Sequence, residues 1–359
     1  MTDTIAYSGW IGENNIGDEA IYLANTKLFQ NYQFSNIDYL NERDNVLIGG
    51  GTVLPKTNPI DSQKQDAEFV AAIGVGASSP EFWNQRFSQV DLGYYLGKRG
   101  HGSVLDSRYV QYLLRPIKEL SNTVTSSNHY LSESDFRCLR EYQLDYLGVR
   151  GPETQSLLSK YNIDSKIVGD TALILTPDKY YTNKQNRICI VLRDGKYQWS
   201  KNDNYISTVV DLCNSYSDTY KFIFMPFYPP DISLNKKAAA RVENASFIDF
   251  CSFMNVRGAI NEISKCDLVI GDKLHSNVLA ACTYTPFVSL EYRPKNLDFA
   301  RSVGMEEYNI RTDQVTSANL TEKVDSALHD DTLIEDIKEN VSEKRSKLKE
   351  FATCIAKNF

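Results

Sequence analysis

The chain is poor in the residues that metal and disulfide chemistry require. Only four of its 359 residues are histidine, and they stand isolated in the sequence. No spacing of metal ligands is visible among them. The seven cysteines, at 138, 189, 213, 251, 266, 282 and 354, form no CxxC and no paired spacing. A disulfide framework is therefore excluded as the organising device. Cys189 in ICIVL and Cys282 in LAAC lie in apolar runs, and the set reads as reduced core thiols of a cytoplasmic protein. No apolar run reaches the ~18 residues that a membrane span needs, which leaves only peripheral membrane contact. The start, MTDTIAYSGW, lacks a basic segment followed by an apolar stretch, so no signal segment is expected. Positive charge is also in deficit. The formal net charge is −7, which excludes a surface built for nucleic acid, and any anionic ligand needs a local cationic site.

What is present is a regular alternation of apolar runs and helix patterns, with 42% hydrophobic and 24% charged residues overall. In the first half, TIAYSGW, NVLIGG, FVAAIGVGA and LDYLGVR read as strands. GDEAIYLANTKLFQ and PETQSLLSKY read as helices, the latter opened by Pro152 where proline is tolerated. SKIVGD closes this half, and residues 81–120 are aromatic-rich and read as helical. The polar stretch TPDKYYTNKQN, residues 176–186, has no periodicity and is the expected linker. A second cycle follows, with strands at RICIVLR, YKFIFMPF, ASFIDF, DLVIGD and TPFVSLEY separated by helix patterns. Buried apolar runs alternating with helices predict parallel sheets covered on both faces. The expectation is two Rossmann-like domains, residues 1–178 and 187–330, with a charged amphipathic helix over 331–359. A single (β/α)₈ barrel is the alternative. In open sheets of this kind ligands bind beyond the carboxyl ends of the strands, so the strand-end loops are the segments to read.

GWIGENNIGDEAI, residues 9–21, is a glycine-punctuated strand-to-helix loop in which Asp18 and Glu19 suit the first helical turn. On its own it reads equally as a tight turn with a capped helix. Two carboxylates there argue against a bound phosphate, and Asn15, Asp18 and Glu19 suit a polyol. Gly51 and Thr52 close Gly49-Gly50-Gly51-Thr52, which ends the strand read at NVLIGG, and GVGASS repeats the theme at 74–79. Arg150 stands at a strand end just ahead of a proline-initiated helix, where its planar fork fits a carboxylate or phosphate. A surface salt bridge is the other reading of that arginine. Arg193 ends RICIVLR, and Arg293 and Lys295 follow TPFVSLEY. In GDKLHSNVLAAC, Lys273 and His275 sit at a strand-to-helix junction. A lone histidine there can be a buried cap. Beside so many cations it is the natural group to move a proton near neutral pH.

Taken together, GWIGENNIGDEAI, GGGT, GVRGPET and above all ISKCDLVIGDKLHSNVLAACTYTPFVSLEYRPKNLDFARSVG resemble the polysaccharide pyruvyl transferases, with motifs spread from about residue 9 to residue 304. That resemblance implies a GT-B-like fold of two Rossmann-like domains facing a central cleft, with the acceptor on the N-terminal side and the donor on the C-terminal side. It implies phosphoenolpyruvate (PEP) as co-substrate, no cofactor, and a pyruvate ketal formed on a sugar of a surface glycan or its lipid- or nucleotide-linked precursor. By resemblance His275 matches the family histidine, Arg150 its arginine, and Tyr292 and Lys295 its Tyr and Lys. Lys273 and Leu274 stand where the family has Arg-Leu, so the residue at 273 keeps the charge and loses the bidentate fork. The donor set is thus Arg150, Lys273, Leu274, Lys295 and Arg193, and the acceptor set Asn15, Asp18, Glu19, Gly51 and Thr52. A nucleotide-sugar glycosyltransferase of the same fold is the competing class, and a non-catalytic sugar-binding protein a third.

Overall fold

A computed structural model describes residues 4–37, 45–55, 67–82, 133–142, 144–177, 185–194, 199 and 204–359. The helical reading of 81–120 lies outside these residues from position 83 on, as do positions 178–184 of the expected linker.

Strand-forming runs that are apolar on both faces can be satisfied only between two layers of helices. The N-terminal sheet is built in this way from β1 (Thr4–Ser8), β2 (Gln33–Asn36), β3 (Asn45–Gly49), β4 (Thr52–Leu54), β5 (Phe69–Ala77), β6 (Tyr146–Val149) and β7 (Lys166–Ile167). Its order is β2-β1-β3-β5-β6-β7, with β4 paired to β5, and the pairings are parallel. Seven of the nine residues of β5 are buried, which accounts for its unbroken apolar sequence. The C-terminal sheet comprises β8 (Arg187–Val191), β9 (Lys221–Phe224), β10 (Ala245–Phe247), β11 (Leu268–Gly271), β12 (Phe287–Glu291) and β13 (Asn309–Arg311), in the parallel order β10-β9-β8-β11-β12-β13. Two separate open sheets rule out the barrel.

The helices start where the sequence supplies a cap. Asn15 caps α1 (Ile16–Leu28) by accepting from the Gly17 N–H at 3.1 Å, and Pro152 opens α3 (Pro152–Ser159), which follows α2 (Glu133–Tyr142). The C-terminal half adds α4 (Asn204–Ser215), α5 (Ile232–Ala239), α6 (Val256–Ile263), α7 (Leu274–Cys282), α8 (Lys295–Ser302), α9 (Ser317–His329) and α10 (Leu333–Ala356). Lys295, expected in a loop, is instead the first residue of α8.

One apolar core runs through both halves. It joins Ile5, Ile16 and Ala20 of the first to Val278, Leu279 and Phe287 of the second, and a smaller core lies on the opposite face of the N-terminal sheet. The short 3₁₀ turn Thr171–Leu175 packs against α1, α7 and α10 and ties the halves together. α10, although last in sequence, lies on the N-terminal half. Phe351 packs edge-on to Tyr146, and the Tyr32 hydroxyl donates to the Ala356 carbonyl at 2.8 Å. Among the described residues no helix is long and apolar enough to cross a membrane.

Candidate active site

The segments that leave the carboxyl ends of both sheets meet one another. The Ile16 N–H, at the start of α1 beyond β1, donates to the Phe227 carbonyl beyond β9 at 2.9 Å. A Cβ added to Gly17 would lie 2.2 Å from His275 Nδ1, so only glycine lets α1 begin against that imidazole. Beyond β6, the Thr154 hydroxyl and N–H donate to Asp298 of α8 at 2.7 and 3.1 Å.

Arg150 lies at the centre of this junction and is fully buried. A Cβ on Gly76, at the end of β5, would approach one of its terminal nitrogens to 2.2 Å, so the guanidinium rests on bare backbone. Asp170 and Asp298 each stand 3.7 Å from it. That is close enough for charge attraction and too far for a hydrogen bond. Among the described residues, all three guanidinium nitrogens therefore have no hydrogen-bond partner. Buried donors left in this state cost free energy unless something accepts from them, and a planar oxyanion is the natural acceptor.

His275, the second residue of α7, points its Nε2 at Asp170 Oδ2 across 3.7 Å, again without a hydrogen bond. Burial, reinforced by Lys295, Arg150 and Lys273, holds the imidazole pKa well below its usual value, so the ring is neutral at pH 7. The cations that do this come from three strand ends. Lys273, the residue before α7, pairs with Asp231 at 2.9 Å and lies 5.1 Å from the Tyr228 ring centre. Tyr292, beyond β12, has Arg193, Lys295 and Arg293 at 4.6, 5.0 and 5.3 Å from its ring. Burial opposes ionisation of this phenol, but Lys295, Arg293, Arg193 and Lys273 together outweigh it and bring the pKa down to about 7.

Asp272 braces this wall. Its Oδ2 accepts from the Arg193 N–H at 2.9 Å and the Tyr205 hydroxyl at 2.8 Å, while its carbonyl accepts from Asn296 at 3.0 Å. Asn235 holds both the N–H and the carbonyl of Leu192 beside it.

The opposite wall is α1 and its loop. Asn15 donates to Asp18 at 2.5 Å, and Glu19 accepts from the Gly12 N–H at 2.7 Å. Burial raises the Asp18 carboxyl to about 6 against the opposing pull of Lys295 and Lys273. Gly51 accepts from the Gly76 N–H at 2.7 Å, and the buried Thr52 hydroxyl has no hydrogen-bond partner among the described residues.

Most residues singled out in the sequence thus converge. Arg150, Lys273, His275, Lys295 and Arg193 share one electrostatic cluster, and Asn15, Asp18 and Glu19 border it through Gly17. Leu274 differs, because its side chain is buried in the apolar core. The carboxylates Asp170, Asp231, Asp272 and Asp298 were not singled out. Asp170 and Asp272 carried a signal, since each follows a glycine at the end of a strand-like run, IVGD and VIGD.

Residues 115–294 match the family model of polysaccharide pyruvyl transferase. The chain belongs to the polysaccharide pyruvyl transferase family. The matched span holds Arg150, Lys273 and His275, and the loop at 9–21 lies outside it. No curated protein sequence matches the chain. Among solved structures this pyruvyl transferase family member is similar to the UDP-GlcNAc 2-epimerase of Neisseria meningitidis, at 12% identity and TM-score 0.48 over 99% of this chain and 98% of that one. It is also similar to the glycotransferase of kitacinnamycin, at 10% identity and TM-score 0.49 over 99% and 98%. A third similarity is to a functionally uncharacterised protein of Klebsiella pneumoniae, at 15% identity and TM-score 0.41 over 86% and 93%.

Proposed function

We propose that this family member transfers the enolpyruvyl unit of PEP to two hydroxyls of one sugar, forming a pyruvate ketal on a surface glycan or its precursor. The observation that carries the reading is Arg150, a buried guanidinium whose nitrogens have no hydrogen-bond partner among the described residues, 3.7 Å from an aspartate that stands equally far from a neutral imidazole. PEP presents a carboxylate and a phosphate on one enol carbon. Arg150 takes one of these anions, and Lys295 and Arg193 take the other. Lys273 adds a point charge alongside.

In the first step a sugar hydroxyl adds to the enol carbon, its proton is taken by His275, and that proton is delivered to the methylene carbon, which becomes a methyl group. The resulting carbon carries both phosphate and sugar oxygen. The C–O bond to phosphate then breaks with its electron pair going to phosphate, the second hydroxyl of the same sugar attacks the carbon, and its proton goes to the departing phosphate. The net change converts PEP and a diol into a ketal and inorganic phosphate. His275 suits the base role because it is neutral at pH 7. Asp18 and Thr52 supply groups for sugar hydroxyls on the facing wall.

The test is the thermal stability of the purified protein with PEP and, separately, with UDP-, GDP- and CMP-sugars, since a ligand of the folded state raises the melting temperature. PEP at millimolar concentration is expected to raise it. Stabilisation by a nucleotide-sugar with indifference to PEP would establish the glycosyltransferase reading instead.

A further inference from the structure

Among the described residues, two pairs of aromatic rings join the N-terminal half to residues 187–330, and they differ in what else holds them. Phe82 meets Trp199 edge-on with centroids 4.8 Å apart. Trp199 is pinned further, since its indole N–H donates to Glu291 at 3.0 Å and the Arg311 guanidinium lies 3.9 Å from its ring. Trp10 meets Tyr228 with centroids 5.9 Å apart and planes tilted by 52°, yet it remains 56% exposed. An indole held from one side and open on the other is costly to leave in water. Its loop is nonetheless fixed at both ends, by β1 and by the Gly12 N–H to Glu19 bond.

We propose that Trp10 is a stacking platform for a sugar ring of the acceptor, with Tyr228 as its buttress. This rests on the sugar-acceptor reading above and adds a binding surface to it. A pyranose has one face of C–H groups and a rim of hydroxyls. The C–H face fits the electron-rich face of an indole, while the rim must find polar partners. Tyr228 connects the two needs. Its ring backs Trp10 and also lies 5.1 Å from the Lys273 ammonium, two residues before His275. Asp231, paired with that ammonium, stands three residues after Tyr228. A ring on Trp10 therefore stacks on the side of the site that holds the Lys273–Asp231 pair and leads to the imidazole. The platform comes from one half and its buttress from the other, so the surface exists only when the halves are docked.

The experiment uses the full chain as wild type, Trp10→Ala and Trp10→Phe, with methyl glycosides of galactose, glucose, mannose and N-acetylmannosamine as probes. Tryptophan emission is titrated with each glycoside, and phosphate release from PEP is followed with the glycoside that binds best. At least one glycoside should perturb the wild-type emission, and Trp10→Phe should lack that response although the other two tryptophans of the chain remain. Trp10→Ala should raise the glycoside KM for phosphate release by about tenfold, roughly the effect of removing a central aromatic contact. The PEP-induced rise in melting temperature should be unchanged. Trp10→Phe should recover part of the loss. A response that persists in Trp10→Phe, a glycoside KM unchanged in Trp10→Ala, or no response to any glycoside would overturn the platform. If PEP fails to bind the wild type while the Trp10-dependent response is present, the donor assignment falls and the platform stands.

Discussion

Arg150 and Lys273 are both cations at strand ends and both border His275, but they stand in opposite states. Lys273 is already answered, with Asp231 at 2.9 Å. Arg150 attracts two aspartates at 3.7 Å but hydrogen-bonds to neither, and among the described residues its three nitrogens have no hydrogen-bond partner. The difference separates a cation that shapes the site from one that waits for a ligand. A paired ammonium spends its charge on its partner and fixes the loop around Asp231. An unsatisfied guanidinium has its whole fork left for an incoming oxyanion. This bears on Lys273, where the resemblance to the family implies an arginine. The fork lost there is retained at 150.

The largest effect is expected from Arg150→Ala. Two lost charge-assisted bonds at about 1.5–3 kcal/mol each correspond to roughly 10²–10⁴ in PEP affinity. Leaving Asp170 and Asp298 without their counter-charge should also cost about 3–5 kcal/mol of stability. Arg150→Lys keeps a charge between those aspartates and should restore much of the stability without restoring PEP binding, read by isothermal titration. If Arg150→Lys binds PEP like the wild type, the contrast drawn between the two cations fails.

His275→Asn should lower turnover by about 10²–10⁴-fold while PEP still raises the melting temperature. Equal turnover in variant and wild type would make His275 a packing residue against Gly17.

Lys273→Ala should cost less than Arg150→Ala, on the order of tenfold to a hundredfold in kcat/KM, because the loss falls mainly on a buried carboxylate. Asp231→Asn in the same chain should return part of it. Lys273→Arg should stay within about tenfold of the wild type. A defect in Lys273→Ala as deep as in Arg150→Ala would mean that both cations face the donor.

The phenol of Tyr292, with its pKa near 7, offers a sharper probe of the cationic wall. Below that pH the phenol is neutral and Arg193, Arg293 and Lys295 present their full charge. Above it the phenolate offsets them. PEP affinity should therefore fall as pH rises through about 7, by at most about tenfold per unit. Tyr292→Phe should remove that component of the pH dependence in binding titrations, while any contribution from ionisation of PEP itself persists.

The smallest effect belongs to the facing wall. The Asp18 pKa is raised to about 6 from 3.8, so in the folded state this carboxyl resists ionisation. Its contribution to stability is best below the unfolded value and declines as pH climbs through the interval up to about 6. Asp18→Asn should thus raise stability at pH 8 by about 1–2 kcal/mol and change it little at pH 3.5. Denaturant titrations at the two pH values check the sign.

The architecture was legible because its signals are local and repeated. RICIVLR, DLVIGD and TPFVSLEY are apolar throughout, and only a doubly covered sheet accommodates them. Short or half-exposed strands gave no such pattern, so QFSN at 33–36 and NIR at 309–311 were not distinguished from loop. The cations of the site were legible from their positions at strand ends. The carboxylates that set their state were not, because pairing between Arg150, Asp170 and Asp298 spans long stretches of chain and depends on how the two sheets dock. The electrostatic character of Lys273 likewise hangs on Asp231, in a loop 42 residues earlier. Sequence shows which charges are present, and only the fold shows which of them are already spoken for.

The placement of α10 has a consequence for how the chain acquires its shape during synthesis. Residues 187–330 hold every strand of their own sheet and can close that sheet as soon as they emerge. The N-terminal sheet emerges first but stays uncovered on the face that Phe351 and Ile355 will occupy. Its Tyr32 must wait for Ala356, a separation of 324 residues. Closing so long a loop is slow, and apolar strands left exposed in the meantime invite association with other chains. In this chain the half made first is completed last.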